Sequence, residues 1–180
     1  MGFPKALLAW HGETFLDHLV GRLGDYCSPV VVVLGARAET IRVGVRRDAT
    51  FVINADYRLG QLSSMQCGLH AVPESAEAVL FTLVDHPNVS PSTVAGLLRM
   101  EEARVPLLRI PRYQGRRGHP VLLSRQLIPE FLALPPEAAA RDVVRRHTAE
   151  TEYLDVPDAG ILDDVDDPET YRRLTGEALA

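Results

Sequence analysis

Two apolar stretches, Pro29-Val30-Val31-Val32-Val33-Leu34-Gly35 and Ala78-Val79-Leu80-Phe81-Thr82-Leu83-Val84-Asp85, decide the fold class. Each is a short apolar run closed by a glycine or an aspartate, the first with four β-branched residues in five, the pattern of a strand covered on both faces, as in a parallel sheet. Helical patterns lie around them. Phe15, Leu16, Leu19, Val20 and Leu23 recur at helical spacing between Thr14 and Tyr26, and Thr14 with Asp17 resembles a capping pair. Further helices are predicted over Ala38 to Val45, Gln61 to Val72, Gln126 to Leu134 and Glu137 to His147. Ser90-Pro91 and Asp167-Pro168 supply N-caps for two more, the first carrying Val94, Leu97, Leu98 and Met100, the second Tyr171 and Leu174. Thr50 to Asn54, Val105 to Ile110, Pro120 to Leu123 and Tyr153 to Val156 complete the strands. Strands alternating with helices predict an α/β fold with a mostly parallel sheet.

The chain has 180 residues, 46% of them hydrophobic and 24% charged, which fits one globular domain over residues 1–180 and excludes a disordered or fibrous chain. Its net charge of −5 argues against a dedicated binder of nucleic acid or of an anionic membrane. Cys27 and Cys67 stand far apart, which excludes a disulfide framework and a cysteine-rich zinc site. No apolar run is long enough to span a membrane, and Met1-Gly2-Phe3-Pro4-Lys5 leads into no secretory core, so a cytoplasmic protein is expected.

Ligands of open α/β sheets sit at the carboxyl ends of strands. That rule selects Gly35, Asn54, Asp85 and the loop after Pro111. In Asp85-His86-Pro87, a carboxylate at the end of a buried strand suits Mg²⁺ on a nucleotide, and equally suits a turn or helix cap. Tyr113-Gln114-Gly115-Arg116-Arg117-Gly118-His119-Pro120 combines glycines that expose backbone amides with arginines that neutralise phosphate; a solvated β-turn is the alternative. In Asp163-Asp164-Val165-Asp166-Asp167, extended backbone would point Asp164 and Asp166 the same way, within reach of a metal. No Walker loop, GxGxxG or Gly-x-Ser-x-Gly elbow is present. The residues alone indicate a protein that handles phosphate and a metal.

In chain order, these motifs resemble the MobA-like nucleotidyltransferases, and most closely their molybdenum cofactor cytidylyltransferase branch. The resemblance is carried by Met1-Gly-x-Pro-Lys5, the VVVVLG strand with Ala38-Glu39-x-Ile41, Asn54-x-x-Tyr57-x-x-Gly60 with Ser63-Ser64, Leu83-Val84-Asp85-x-Pro87, Gly115-Arg-Arg-Gly-His-Pro120, and Asp164-Val-Asp166-x-Pro168-Glu169. It implies a three-layer α/β/α, Rossmann-like fold of the nucleotide-diphospho-sugar-transferase type. It also implies transfer of CMP from CTP to molybdopterin, with Mg²⁺ as cofactor and a molybdenum hydroxylase as recipient of the product. Under this resemblance, Lys5 and Asp85 are catalytic, and Asp85 and Asp166, ahead of Asp164, bind metal. Lys5, Gly35, Asn54, Gly60 and Ser64 border the nucleotide, while Gly115, Arg117, Gly118, His119 and Pro120 face the pterin.

The family pattern opens with an apolar strand and a Leu-Ala-Ala-Gly-x-Ser-x-Arg-Met-Gly loop, and this chain starts at the final Met-Gly. The first strand of the fold is therefore expected to be absent, leaving its neighbours with unpaired backbone groups and the chain with little transferase activity. Asp167 stands where the family has Thr, and Ala138-Ala139-Ala140-Arg141 replaces a more polar segment. Transfer from GTP, or to another phosphorylated acceptor, is the near alternative. A non-catalytic protein that holds molybdenum cofactor for delivery is the more distant one.

Overall fold

The computed structural model describes residues 3–100 and 104–176. Met1 and Gly2 of the first motif lie outside these. A two-residue hairpin, Ala9–Trp10 (β1) and Glu13–Thr14 (β2), leads into helix Phe15–Gly24 (α1). Then follow Val31–Leu34 (β3), Ala38–Gly44 (α2), Thr50–Ile53 (β4), Gln61–His70 (α3), Ala78–Phe81 (β5) and Pro91–Leu98 (α4). The second half comprises Leu108–Tyr113 (β6), Arg116–Arg117 (β7), Val121–Ser124 (β8), Ile128–Leu132 (α5), Ala140–Arg146 (α6), Thr151–Asp155 (β9) and Pro168–Thr175 (α7).

The predicted caps hold. Thr14, Ser90 and Asp167 accept hydrogen bonds from the amides of Asp17, Thr93 and Thr170, starting α1, α4 and α7. Met100 falls beyond the end of α4 and is exposed, so it is not part of that helix's apolar face. No helix among the described residues is long and apolar enough to cross a membrane.

β3 and β4 pair in parallel, as do β6 and β9. β8 runs antiparallel between β5 and β6, which makes the larger sheet mixed. The antiparallel entry follows from chain economy: after β6 the chain turns back at once, and both the short β7 and β8 pair antiparallel with β6, so no helix intervenes.

Between β3 and β5 the hydrogen-bond ladder is interrupted. β3 pairs only with β4, and β5 only with β8, among the described residues. Both strands border an apolar slot of about 600 Å³, closed on one side by Leu16 and Val20 of α1 and on the other by Met65 and Leu69 of α3. A strand occupies roughly 160 Å³ per residue, given its rise, the spacing between strands and the spacing between layers. The slot therefore matches about four residues of strand, the length of β3 and of β5 themselves. Val79, Leu80 and Phe81 are only half-buried for this reason, although their sequence reads as a fully covered strand. The slot also divides the core: Ile41, Val32 and Leu34 pack with α1 on one side, while Leu108, Leu123 and Phe131 pack with α3 on the other.

Asp17 ties α1 to the segment ahead of β4. It is 3% exposed and accepts the amides of Arg46 and Arg47 at 2.8 and 2.9 Å, plus the Thr14 hydroxyl at 2.8 Å. Burial alone would raise its carboxyl, but the Arg47 and Arg46 amides and Thr14 outweigh it and hold the pKa below 3.8. Asp17→Ala orphans two buried amides and is expected to cost about 2–4 kcal/mol in urea unfolding. Because the folded carboxyl is the stronger acid, its contribution is complete above pH 3.8 and is lost as pH falls through the folded value. Asp17→Asn, which still accepts but cannot titrate, should recover more than half of the loss and remove that acid dependence.

Candidate functional site

Lys5 lies in the turn ahead of β1, and its ammonium donates to Asp85 Oδ2 at 3.4 Å and to Asp166 Oδ1. Three segments meet here because Val165, fully buried with Leu8, Trp10, Phe15 and Tyr171, donates its amide to the Asp85 carbonyl at 2.9 Å. That clip sets Asp164 and Asp166 on either side of a buried anchor and beside Asp85. Burial pulls the Lys5 pKa down, but the hydrogen bond to Asp166 and the charges of Asp85 and Asp166 outweigh it and hold it above 10.5. Lys5 in turn holds Asp166 below the usual carboxylate range. Asp164 moves the other way, raised by burial and then by the charges of Asp85 and Asp166.

A second geometry starts from the same Asp85. Asp85, His86 and Asp164 each offer a donor atom within 4.8 Å of the others, and His86 Nε2 stands 4.0 Å from Asp85 Oδ1. Asp85 Oδ1 and His86 Nδ1 are buried without a hydrogen-bond partner. A carboxylate oxygen left unpartnered beside an imidazole fits a divalent cation. Sequence reasoning favoured Asp166 as the second carboxylate; the geometry gathers Asp164 with Asp85, while Asp166 is engaged by Lys5. His86 has no motif signal of its own beyond its place directly after a strand-end aspartate.

His119 joins this cluster. Its ring centroid lies 4.8 Å from that of His86 and 6.0 Å from Phe81. Burial, and secondarily the His86 charge, push its pKa down to about 4, so the imidazole is neutral at pH 7. The rest of the glycine-arginine segment is divided. Gln114 and Gly115 have φ of 48° and 79° and make the β6–β7 turn, where glycine relieves the second positive φ. Arg117 is exposed and lies over the Tyr153 ring, 4.9 Å from its centroid. Gly118 is packed: a Cβ there would stand 2.2 Å from the Ile161 carbonyl oxygen, which already accepts the His119 amide. Gly118→Ala is expected to lower stability by about 2–3 kcal/mol in urea unfolding, through displacement of backbone rather than loss of a ligand contact.

Gly35, Asn54, Gly60 and Ser64 form a separate group at the ends of β3 and β4. Buried Asn54 donates through Nδ2 to Ser63 and Ser64 at 2.9 and 3.0 Å and accepts the Asp56 amide, while Ser63 donates to the Gly60 carbonyl. Tyr57 packs on Gly35, where a Cβ would meet Tyr57 Cβ at 2.6 Å. Gly35 and Ser64 border the slot from the β3 side, and Thr82 to Val84, leading to Asp85, border it from the β5 side.

Residues 1–151 match the MobA-like NTP transferase domain. The chain belongs to that family. Its fold is that of the nucleotide-diphospho-sugar transferases: a structure of Rv0371c from Mycobacterium tuberculosis H37Rv superposes with a TM-score of 0.82 at 24% identity, over 99% of this chain and 92% of the other. A manganese complex of the same mycobacterial protein superposes with a TM-score of 0.79 at 24% identity, over 97% and 92% of the two chains. A relative from Paenarthrobacter nicotinovorans named nicotine blue oxidoreductase is 33% identical, over 95% of this chain and 87% of the relative. The molybdenum cofactor cytidylyltransferase of Escherichia coli (strain K12) is 26% identical, over 95% of this chain and 86% of the relative. The MobA-like family assignment thus agrees with the resemblance drawn from the motifs, and it supports a nucleotidyltransferase role.

Proposed function

We propose that the chain transfers CMP from CTP to molybdopterin. In this reaction a terminal phosphate oxygen of the pterin attacks the α-phosphorus of CTP. The bond from that phosphorus to the bridging oxygen breaks, and pyrophosphate leaves. Such chemistry requires alignment and charge neutralisation more than covalent help. The observation that carries the reading is the Lys5 ammonium held between Asp85 and Asp166, next to an unpartnered Asp85 Oδ1. Lys5 acts as a point charge toward triphosphate oxygens, and its raised pKa keeps it charged across the neutral range. Asp85, with Asp164 or Asp166, holds the divalent cation, Mg²⁺ in the simplest case; when bound, that cation neutralises charge on the triphosphate. Gly35, Asn54, Gly60 and Ser64 border the nucleotide, and the segment from Gly115 to Pro120, with Arg117 and His119, faces the pterin. Delivery of the product to a molybdenum hydroxylase follows from the same reading.

The slot separates the Asn54 group from the Lys5 group, so turnover by this chain is expected to be slow, and the test is best made under single-turnover conditions. With protein in excess, CTP labelled at its α-phosphate should pass its label to molybdopterin, with GTP less than a tenth as effective. Transfer from GTP instead would favour the guanylyl reading. Tight pterin binding that needs neither nucleotide nor cation, without label transfer, would favour the delivery protein. The oxidoreductase name of one relative supplies another outcome, turnover that depends on a reductant and not on CTP.

A further inference from the structure

The cluster at Asp85 contains a donor that a site built for Mg²⁺ does not need. His86 is 7% exposed, follows the strand-end aspartate directly, and brings Nε2 to 4.0 Å from Asp85 Oδ1. With Asp164 it completes a group of three donors within 4.8 Å of one another. Its other ring nitrogen, Nδ1, is buried without a hydrogen-bond partner, and so is Asp85 Oδ1. A buried imidazole with an unpartnered nitrogen carries a desolvation cost that no protein group offsets here. Packing supplies no reason for a histidine: His86 meets the ring of His119, which an apolar or amide side chain could equally do. A cation held between Nε2 and Asp85 Oδ1 would give that orphaned oxygen a partner and the buried ring a ligand to hold.

The kind of cation follows from the donors. Mg²⁺ takes oxygen ligands and water and gains little from imidazole, whereas first-row transition ions take it readily, with affinity rising along the Irving–Williams series from Mn²⁺ to Co²⁺ and Ni²⁺. We propose that His86, with Asp85 and Asp164, makes this a nitrogen-containing site that selects a divalent transition ion over Mg²⁺. The inference rests on the reading of this cluster as the cation site of the transferase. It differs from that reading in assigning His86 as a ligand and in changing the metal.

Metal binding without nucleotide tests it separately from catalysis. Titration of the full chain with Co²⁺, Mn²⁺ and Mg²⁺, each alone, should give dissociation constants rising in that order, with Co²⁺ at least ten times tighter than Mg²⁺. His86→Gln should weaken Co²⁺ by at least tenfold and Mg²⁺ by less than threefold, with the effect on Mn²⁺ between them. In the Mn²⁺-loaded protein, electron spin-echo spectra should show nitrogen modulation that vanishes in His86→Gln. Should that variant fail to fold, wild-type protein carrying heavy-nitrogen histidine keeps the test open, because the modulation must then change its frequency. Equal losses for all three ions in His86→Gln, or Mn²⁺ binding with no nitrogen modulation, would overturn the proposal. Neither result would touch the nucleotide reading, which is tested by label transfer from CTP.

Discussion

Fusing a short apolar strand ahead of Met1 is expected to raise the thermal midpoint by about 5–10 °C and to speed nucleotidyl transfer at least tenfold. The expectation comes from the slot between β3 and β5, which is bounded by two strand edges that each lack a ladder partner on that side and by apolar faces of α1 and α3. Ala6 borders the slot, so an extension reaching it needs only a short link. Four inserted β-branched residues would gain ladder hydrogen bonds on both sides, each contributing about 0.5–1.5 kcal/mol net. Their buried side chains add more, opposed by the entropy of ordering the segment. A net gain of 2–3 kcal/mol corresponds to about 5–10 °C in a chain of this size. Transfer should respond because the same strand would join the Asn54 group to the Lys5 group across one continuous sheet. An extension of equal length made of serine and aspartate should change neither quantity. A rise in midpoint with the polar extension would mean that the slot does not select a strand.

Replacing Asp85 by asparagine is expected to lower transfer by at least about a hundredfold, a loss of the size seen when one aligned electrostatic group is removed. Asp85 is the shared member of both geometries, facing Lys5 through Oδ2 and His86 through Oδ1. The substitution keeps shape but removes the negative charge, so the divalent dependence of CTP binding should disappear. Lys5 keeps Asp166 as its partner, and the thermal midpoint should move by only a few degrees. Activity that falls together with a large loss of stability would point to a structural role for Asp85 instead.

The starts of α1, α4 and α7 were legible because capping chemistry is local: Thr14, Ser90 and Asp167 each satisfy an amide three residues on. The hairpin of β1 and β2 was not read, because its strands are two residues long and its turn, His11-Gly12 with φ of 49° and 91°, uses a histidine where asparagine is the usual signal. β5 ends at Phe81 rather than Val84, since the run beyond it borders the slot with no ladder to extend. At the site, Lys5, Asp85 and Asp166 could be named from motifs, but their meeting depends on the buried Val165 clip, a contact across 80 residues that no local pattern encodes. The same distance hid the partnership of His86 with Asp164. Gly115 and Gly118 were legible as glycines that matter; only the packing shows that one turns the chain and the other makes room for the Ile161 carbonyl.

The most direct measurement is calorimetric titration of the purified chain with CTP, with GTP as control, in the presence and absence of a divalent cation. The predicted result is binding that favours CTP, requires the cation, and loses that requirement in Asp85→Asn. Absence of heat with either nucleotide, or equal binding with and without the cation, would contradict the reading of the Lys5–Asp85 cluster as a nucleotidyl-transfer site.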